Sequence, residues 1–353
     1  MREYFLGGAS PEGFKTSFDK LIYGGDNFTY IIKGTAGSGK STLMKKLAAA
    51  FPEEDKEIFY CSADPDSLDA VYLKKRGIII VDGTAPHVFE PKYPFAYQAI
   101  TDLGAYLEQG TLYAKRTEIA EVTDEYSMWH QRCRRYLSAL SSITDDMWQI
   151  GRSALYSDKL EGFTERISKK LLPRKQIKET GKTEYRSMSA ITPKGYELFL
   201  PEDCSIYLLS DELFCGSDKF LRAFEENALR RGYDVTVSCS YLHSSPIYEH
   251  LMIPEIKTAF ITAGTLLDPE LDAFRPISFK RFYDKNELAA KKLRLKFDKT
   301  ACRNLLTEAV DCLVNAKAIH DKLESYYISA ADFGGINRLV YRLISEIKSK
   351  EGK

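Results

Sequence analysis

The chain has 353 residues, 44% of them hydrophobic and 28% charged, ordinary globular proportions that exclude a disordered, collagenous or low-complexity chain. At roughly 100 to 200 residues per domain, this length predicts two domains or one large one. Fifty Lys and Arg against fifty Asp and Glu leave no net charge, so no global field draws the molecule to nucleic acid or an anionic membrane. No stretch approaches the ~18 apolar residues of a membrane span, and MREYFLGGAS lacks the apolar run of a signal peptide; a cytoplasmic protein without membrane insertion is expected. Seven cysteines without CxxC spacing read as reduced core residues.

Taken in chain order, the first half reads as strand, loop, helix, strand, helix, strand, with strands near 29–33, 57–61 and 77–82. That alternation predicts an α/β domain with a parallel sheet. No Gly or Pro interrupts 111–150, where Val122, Trp129, Cys133, Leu140 and Met147 recur at heptad steps. A shorter amphipathic helix on Leu160, Phe163, Ile167 and Leu171 follows, and the pair reads as a helical hairpin over about 100–175. The connector is 175–200, with the boundary near residue 182.

The second half repeats the first. Ser10-Pro11-Glu12-Gly13-Phe14 aligns with Thr192-Pro193-Lys194-Gly195-Tyr196 at an offset of 182, and Tyr30-Ile31-Ile32 with Tyr207-Leu208-Leu209 at 177. Cys61-Ser62 meets Cys239-Ser240 at 178, and Ile80 through Thr84 meets Ile261 through Thr265 at 181. A second heptad helix, through Cys302, Ala309, Cys312 and Leu323, precedes a shorter one through Ile336, Val340 and Leu343. The expectation is a tandem duplication of P-loop NTPase-like parallel-sheet domains, 1–182 and 183–353, each with a helical hairpin, the second at about 285–350.

The chemistry-bearing motif is Gly34-Thr35-Ala36-Gly37-Ser38-Gly39-Lys40-Ser41, which fits GxxxxGK[ST] between an apolar strand and a helix. Glycines let the backbone curl its N–H groups around an anion, and the helix N-terminus adds its positive end. In this reading Lys40 reaches the β and γ phosphates, Ser41 ligates Mg²⁺, and Thr42 contacts the α phosphate. Asp82 ends the buried run Ile78-Ile79-Ile80-Val81 and reads as the carboxylate that holds Mg²⁺, directly or through water. Gly83 follows it, so the adjacent glutamate used as a base by many motor ATPases is absent. Asp64 and His87 follow strands on the same edge and are candidates for orienting water or an acceptor hydroxyl; a turn with a helix cap before Leu68 and a loop closure are their structural readings.

In the second repeat Ser217 stands at the position of Lys40, Asp218 at that of Ser41, and Ala263 at that of Asp82. Asp211, Glu212 and Asp218 then face the anion site and repel a triphosphate, which makes this half a degenerate, structural or regulatory one; a cation among the three is a minor reading. Basic stretches at Arg166, Lys169, Lys170, Arg174, Lys175 and Lys178, and again over 280–296, read as solvated faces, with nucleic acid a lesser alternative. Arg132, Arg134 and Arg135 read as surface residues, or as phosphate-stabilising groups if the hairpin closes as a lid.

The stretches REYFLGGASPEGF, IIKGTAGSGKSTLMKKL, CSADPDSLDAV, IIIVDGTAPHVFEPKYP and SAITPKG resemble a family of uncharacterised bacterial ATP-binding proteins, common in spore-forming Firmicutes, that carry two P-loop NTPase-like halves. The resemblance implies ATP binding with Gly39, Lys40, Ser41, Thr42 and Asp82 in the usual roles. Family members generally keep a second glycine-rich loop, from which this chain departs at Asp211, Ser217 and Asp218. The leading expectation is a Mg-ATP-binding protein with slow hydrolysis in its first half. A small-molecule or nucleotide kinase, and a non-hydrolysing scaffold that presents its hairpins to a protein partner, are the alternatives.

Overall fold

The computed structural model describes residues 1–175, 179–202, 204–267 and 275–350; Lys178 lies outside them. In the first repeat the strands are β1 Arg2–Phe5, β2 Gly7–Ser10, β3 Gly13–Thr16, β4 Phe28–Lys33, β5 Lys56–Tyr60, β6 Leu68–Leu73, β7 Ile78–Asp82 and β8 Gln98–Asp102. Its helices are α1 Asp19–Tyr23, α2 Lys40–Ala49, α3 Gln109–Ala114, α4 Arg116–Ala154 and α5 Ser157–Leu171. The second repeat supplies β9 Thr183–Tyr185, β10 Ser189–Thr192, β11 Gly195–Leu198, β12 Ser205–Ser210, β13 Val235–Ser240, β14 Ile247–Ile253, β15 Thr258–Ala263 and β16 Arg275–Ser278. Helices α6 Cys215–Leu229, α7 Lys285–Ala290, α8 Lys292–Ile328 and α9 Phe333–Ser349 complete it. None of the helices among the described residues is long and apolar enough to cross a membrane.

Two six-stranded sheets result, ordered β1-β5-β6-β7-β4-β8 and β9-β13-β14-β15-β12-β16, so the second repeats the first strand for strand. Both are mostly parallel, with β6 and β14 running against their neighbours. The helix expected between the second and third strands of the first repeat is therefore corrected to strand β6. Leu68, Ala70, Val71 and Leu73 are buried in a six-residue run wedged between β5 and β7, too short for a crossover helix and apolar on both faces as a central strand must be. A bulge interrupts each β5–β6 and β13–β14 pairing at the same place, with Tyr60 opposite Leu68 and Cys239 opposite Tyr248. Cys239 thus takes the place of Tyr60, one residue away from the alignment with Cys61, and the strand register likewise sets Thr262, not Ala263, at the place of Asp82: Asp82 lies opposite Ile32 and Thr262 opposite its counterpart Leu209.

Each sheet has helices on one face and the other sheet on its second face. Tyr4, Ile31, Phe59, Ile79 and Val81 of the first sheet share a core with Ile206, Met252, Ala259 and Ile261 of the second. Buried Glu57 on β5 pairs with Arg186 at 2.8 Å across this junction. The outer faces are closed by exchange. Leu339, Val340, Leu343 and Ile347 of α9 pack with α2 on the first sheet, while Leu160 of α5 joins the core of α6 on the second.

This packing corrects the helical hairpins. Each long helix takes the other long helix as its partner: α4 and α8 run antiparallel, with Lys115 over the Tyr326 ring at one end and Lys291 bonded to Ser153 at 3.2 Å at the other. The heptad residues Cys133 and Leu140 meet Ala309 and Cys312 in that seam, where Leu137 and Leu313 are buried beside them. A helix of 39 residues is about 58 Å long at 1.5 Å per residue. That length carries α4 from one lobe to the other, so its shorter companion docks far from where α4 began.

Candidate phosphate-loop site

Strand β4 ends at Lys33, and α2 begins at Lys40 after the loop 34–39. Gly37 and Gly39 have φ of +67° and +86°, a left-handed backbone that side-chain-bearing residues adopt only under strain. Inside the turn the Ser38 hydroxyl and the Lys40 ammonium donate to the Thr35 carbonyl, at 2.8 and 2.7 Å. The Gly37 amide donates to Glu324 Oε1 of α8 at 3.1 Å, so this loop already offers an N–H to an anionic oxygen.

Lys40 Nζ also lies 3.6 Å from Asp82 Oδ2 at the end of β7. Asp82 is buried and accepts from the Thr84 amide at 2.8 Å and from the Thr84 hydroxyl. Burial pushes its carboxyl above the ordinary value; Lys40 and the Thr84 donors pull against that, and the nearby Asp69 charge adds to it. Ser41 Oγ accepts from the Leu68 amide at 3.0 Å, which fixes the hydroxyl while leaving its proton and a second lone pair. Thr42 is exposed on the first turn of α2.

Asp64 and His87 separate in role. Asp64 closes a turn, accepting from the Ser67 hydroxyl at 2.7 Å, and lies 3.6 Å from Lys317 of α8; the turn leads into β6, correcting the helix cap. His87 is buried, its ring edge-on to Phe14 at 4.2 Å and its Nε2 3.2 Å from Asp69 Oδ2. Burial works against its charged form, but the Asp69 carboxylate outweighs that and holds the imidazole above its ordinary value.

Asp69 is the residue that sequence reasoning missed. It is the bulge residue of β6, buried, and within ligand distance of both His87 and Cys61. Reading 62–76 as turn and helix hid it; a lone carboxylate inside the apolar run Leu68-Asp69-Ala70-Val71 was the available signal. Burial and the Asp69 charge push the Cys61 thiol well up. Tyr126 of α4 lies beside this cluster, with the His130 ring edge-on to it at 4.5 Å and the His320 ring of α8 tilted against it at 5.7 Å. Arg132 lies over the Trp129 and Tyr136 rings at 5.6 and 5.9 Å, and Arg134 and Arg135 are exposed, as their surface reading expects.

The second loop is closed by its own side chains. Phe220, Leu221 and Phe224 take the core places of Leu43, Met44 and Leu47, which sets Ser217 at the position of Lys40. Helix α6 nevertheless starts at Cys215, two residues before Ser217, and winds up part of the loop. Buried Asp211 accepts from the Leu213 and Ser217 amides at 3.1 and 2.8 Å and from the Tyr283 hydroxyl at 2.9 Å. The expectation of three carboxylates converging on an anion site is corrected. Glu212 pairs with Lys299, and Asp218 accepts from the Tyr248 amide and Arg222 Nε, both at 2.8 Å. Asp218 thereby does for β14 what Ser41 does for β6, and the three do not form a cation cluster among the described residues.

Family models, curated proteins and solved structures were compared with this chain, and none matches.

Proposed function

We propose that the protein binds Mg-ATP through residues 34–42 and hydrolyses it slowly, with the second repeat acting as a brace. The observation that carries this reading is Lys40 held 3.6 Å from Asp82 at the end of a loop bent by left-handed Gly37 and Gly39. Loop amides and Lys40 would hold the phosphates. The Ser41 hydroxyl and the Asp82 carboxylate are an oxygen-only donor pair of the kind Mg²⁺ takes, and the metal, when bound, supplies charge neutralisation to the β and γ oxygens. Lys40 would leave the Thr35 carbonyl and Asp82 to meet the γ phosphate. Asp211, Tyr283 and the wound-back start of α6 leave the second loop no comparable opening, which favours one nucleotide per chain.

The kinase alternative rests on Gly83 in place of a glutamate after Asp82, which stands, and on the acidic loop, which is weakened because Asp64 is engaged by Ser67 and Lys317, and Asp66 pairs with Lys194 at 3.1 Å. In the scaffold alternative the long helices are presented to a partner, and α4 and α8 bury their seams against each other, which leaves only their outer faces for one. Titration with Mg-ATP, with released phosphate measured beside Lys40→Ala, tests the reading. One nucleotide per chain with slow phosphate release is expected, and the variant loses at least about tenfold in affinity, or ~1.4 kcal/mol. Equal affinity in the variant sinks the proposal.

A further inference from the structure

We propose that Cys61, Asp69 and His87 form a binding site for one divalent d-block cation of the Zn²⁺ class, beside the phosphate loop. The three residues come from the end of β5, the bulge of β6 and the loop after β7, so only folding brings them together. One ligand atom from each lies within 4.8 Å of the others, and His87 Nε2 stands 3.2 Å from Asp69 Oδ2. A tetrahedral site with bonds of about 2.0 to 2.3 Å has ligand-to-ligand edges of about 3.3 to 3.6 Å, so small side-chain shifts seat a cation here.

Asp69 and His87 are buried, at 4% and 7% exposure, and meet each other at 3.2 Å between Oδ2 and Nε2, with the Cys61 thiol alongside. His87 Nδ1 has no hydrogen-bond partner, where buried polar atoms are normally paired. The second repeat acts as an internal control. Its bulge residue, Glu249, is the counterpart of Asp69, and there the Ser189 and Tyr196 hydroxyls satisfy both oxygens at 2.7 Å each. Neither hydroxyl has an equivalent on Asp69, whose neighbours are a thiol and an imidazole instead.

The donor types select the cation. A thiolate with one imidazole and one carboxylate suits Zn²⁺ or Co²⁺ and is a poor set for Mg²⁺ or Ca²⁺, which take oxygen. Binding ionises the Cys61 thiol and releases its proton to solvent, leaving a thiolate bond to the metal. Three protein ligands leave a fourth position for water.

The test is a titration of metal-free full-length protein with Co²⁺, without nucleotide, followed by optical absorption and by displacement with Zn²⁺. One equivalent of Co²⁺ with a thiolate-to-cobalt charge-transfer band is expected. Cys61→Ser removes the band, and His87→Ala and the near-isosteric Asp69→Asn each weaken binding at least tenfold. X-ray absorption on the Zn²⁺-loaded wild type gives a variant-free readout, with one sulfur and otherwise nitrogen and oxygen neighbours expected. A wild type that takes up no stoichiometric metal, a band that survives Cys61→Ser, or a shell with two or more sulfurs overturns the site. Nucleotide binding is a separate readout, so failure of either proposal leaves the other standing.

Discussion

Glu324 Oε1, near the C-terminal end of α8, accepts a hydrogen bond from the Gly37 amide at 3.1 Å, so a helix of the second repeat closes on the loop of the first. The approach requires glycine: a Cβ at residue 37 would lie 2.7 Å from the Glu324 carbonyl oxygen and 3.0 Å from Ile328 Cγ1. A carboxylate on a loop amide competes with a phosphate oxygen for the same donor and repels its charge. Glu324→Ala is therefore expected to tighten Mg-ATP binding by about three- to tenfold, ~0.7 to 1.4 kcal/mol. Titration calorimetry of the variant beside wild type checks this; unchanged or weaker binding contradicts the competition.

Asp211 fills the second loop as a fixed internal anion. Removing it leaves the Leu213 and Ser217 amides and the Tyr283 hydroxyl without their acceptor in a buried place. Asp211→Ala should cost about 2 to 4 kcal/mol in urea unfolding, with Mg-ATP stoichiometry held at one per chain. A second bound nucleotide in the variant would mean that Asp211 alone keeps the loop closed, contrary to the role given to the wound-back start of α6.

Strands and motif were legible because each is local: 28–33, 56–60 and 78–82 are short apolar runs, and the loop has fixed spacing; the duplication was legible in outline from segments repeated about 180 residues apart. Partner choice was not. Heptad spacing marks a seam on α4 and α8 but is silent on which helix fills it, so the sequence favours a neighbouring helix where a distant one packs. Asp69 was illegible for a related reason, since its significance depends on a bulge and on His87 across the β6–β7 pair. In the second repeat, aligning the halves placed Ser217 at Lys40 but set Ala263 one residue past the place of Asp82, which Thr262 holds, and the fates of Asp211, Glu212 and Asp218 depended on Tyr283, Lys299 and Tyr248, each at least 30 residues away.

The exchange of α5 and α9 makes a core substitution in one repeat act on the sheet of the other. Leu343 on α9 is 4% exposed in the cluster of Met44, Leu47 and Ile80. Leu343→Ala is expected to cost about 2 to 5 kcal/mol, as large-to-small core changes do. Amide hydrogen exchange should rise in α2 and β4 of the first repeat, and much less in α6 of the second. Faster exchange centred on the second sheet would contradict the exchanged packing.

His250 carries a pH dependence that the structure allows to be signed. It is fully buried; Nδ1 accepts from the Thr262 amide at 3.2 Å and Nε2 meets Ser189 Oγ at 3.2 Å, so the ring must stay neutral to keep the first bond. Burial holds its pKa below the ordinary value of about 6.5, against the opposing pull of the Glu249 carboxylate 3.6 Å away. The unfolded chain then binds the proton more readily, so stability is full above about pH 6.5 and declines as pH falls from there toward the folded value. His130 and His320, also depressed by burial, act in the same sense, and His87, raised by Asp69, acts in the opposite one. His250→Asn keeps an acceptor for Thr262 and removes one titrating group. In urea unfolding across this range it should flatten the acid slope by up to about 1.4 kcal/mol per pH unit, whatever its effect on absolute stability. An unchanged slope would mean that the imidazole is protonated to the same degree in the folded and unfolded chains.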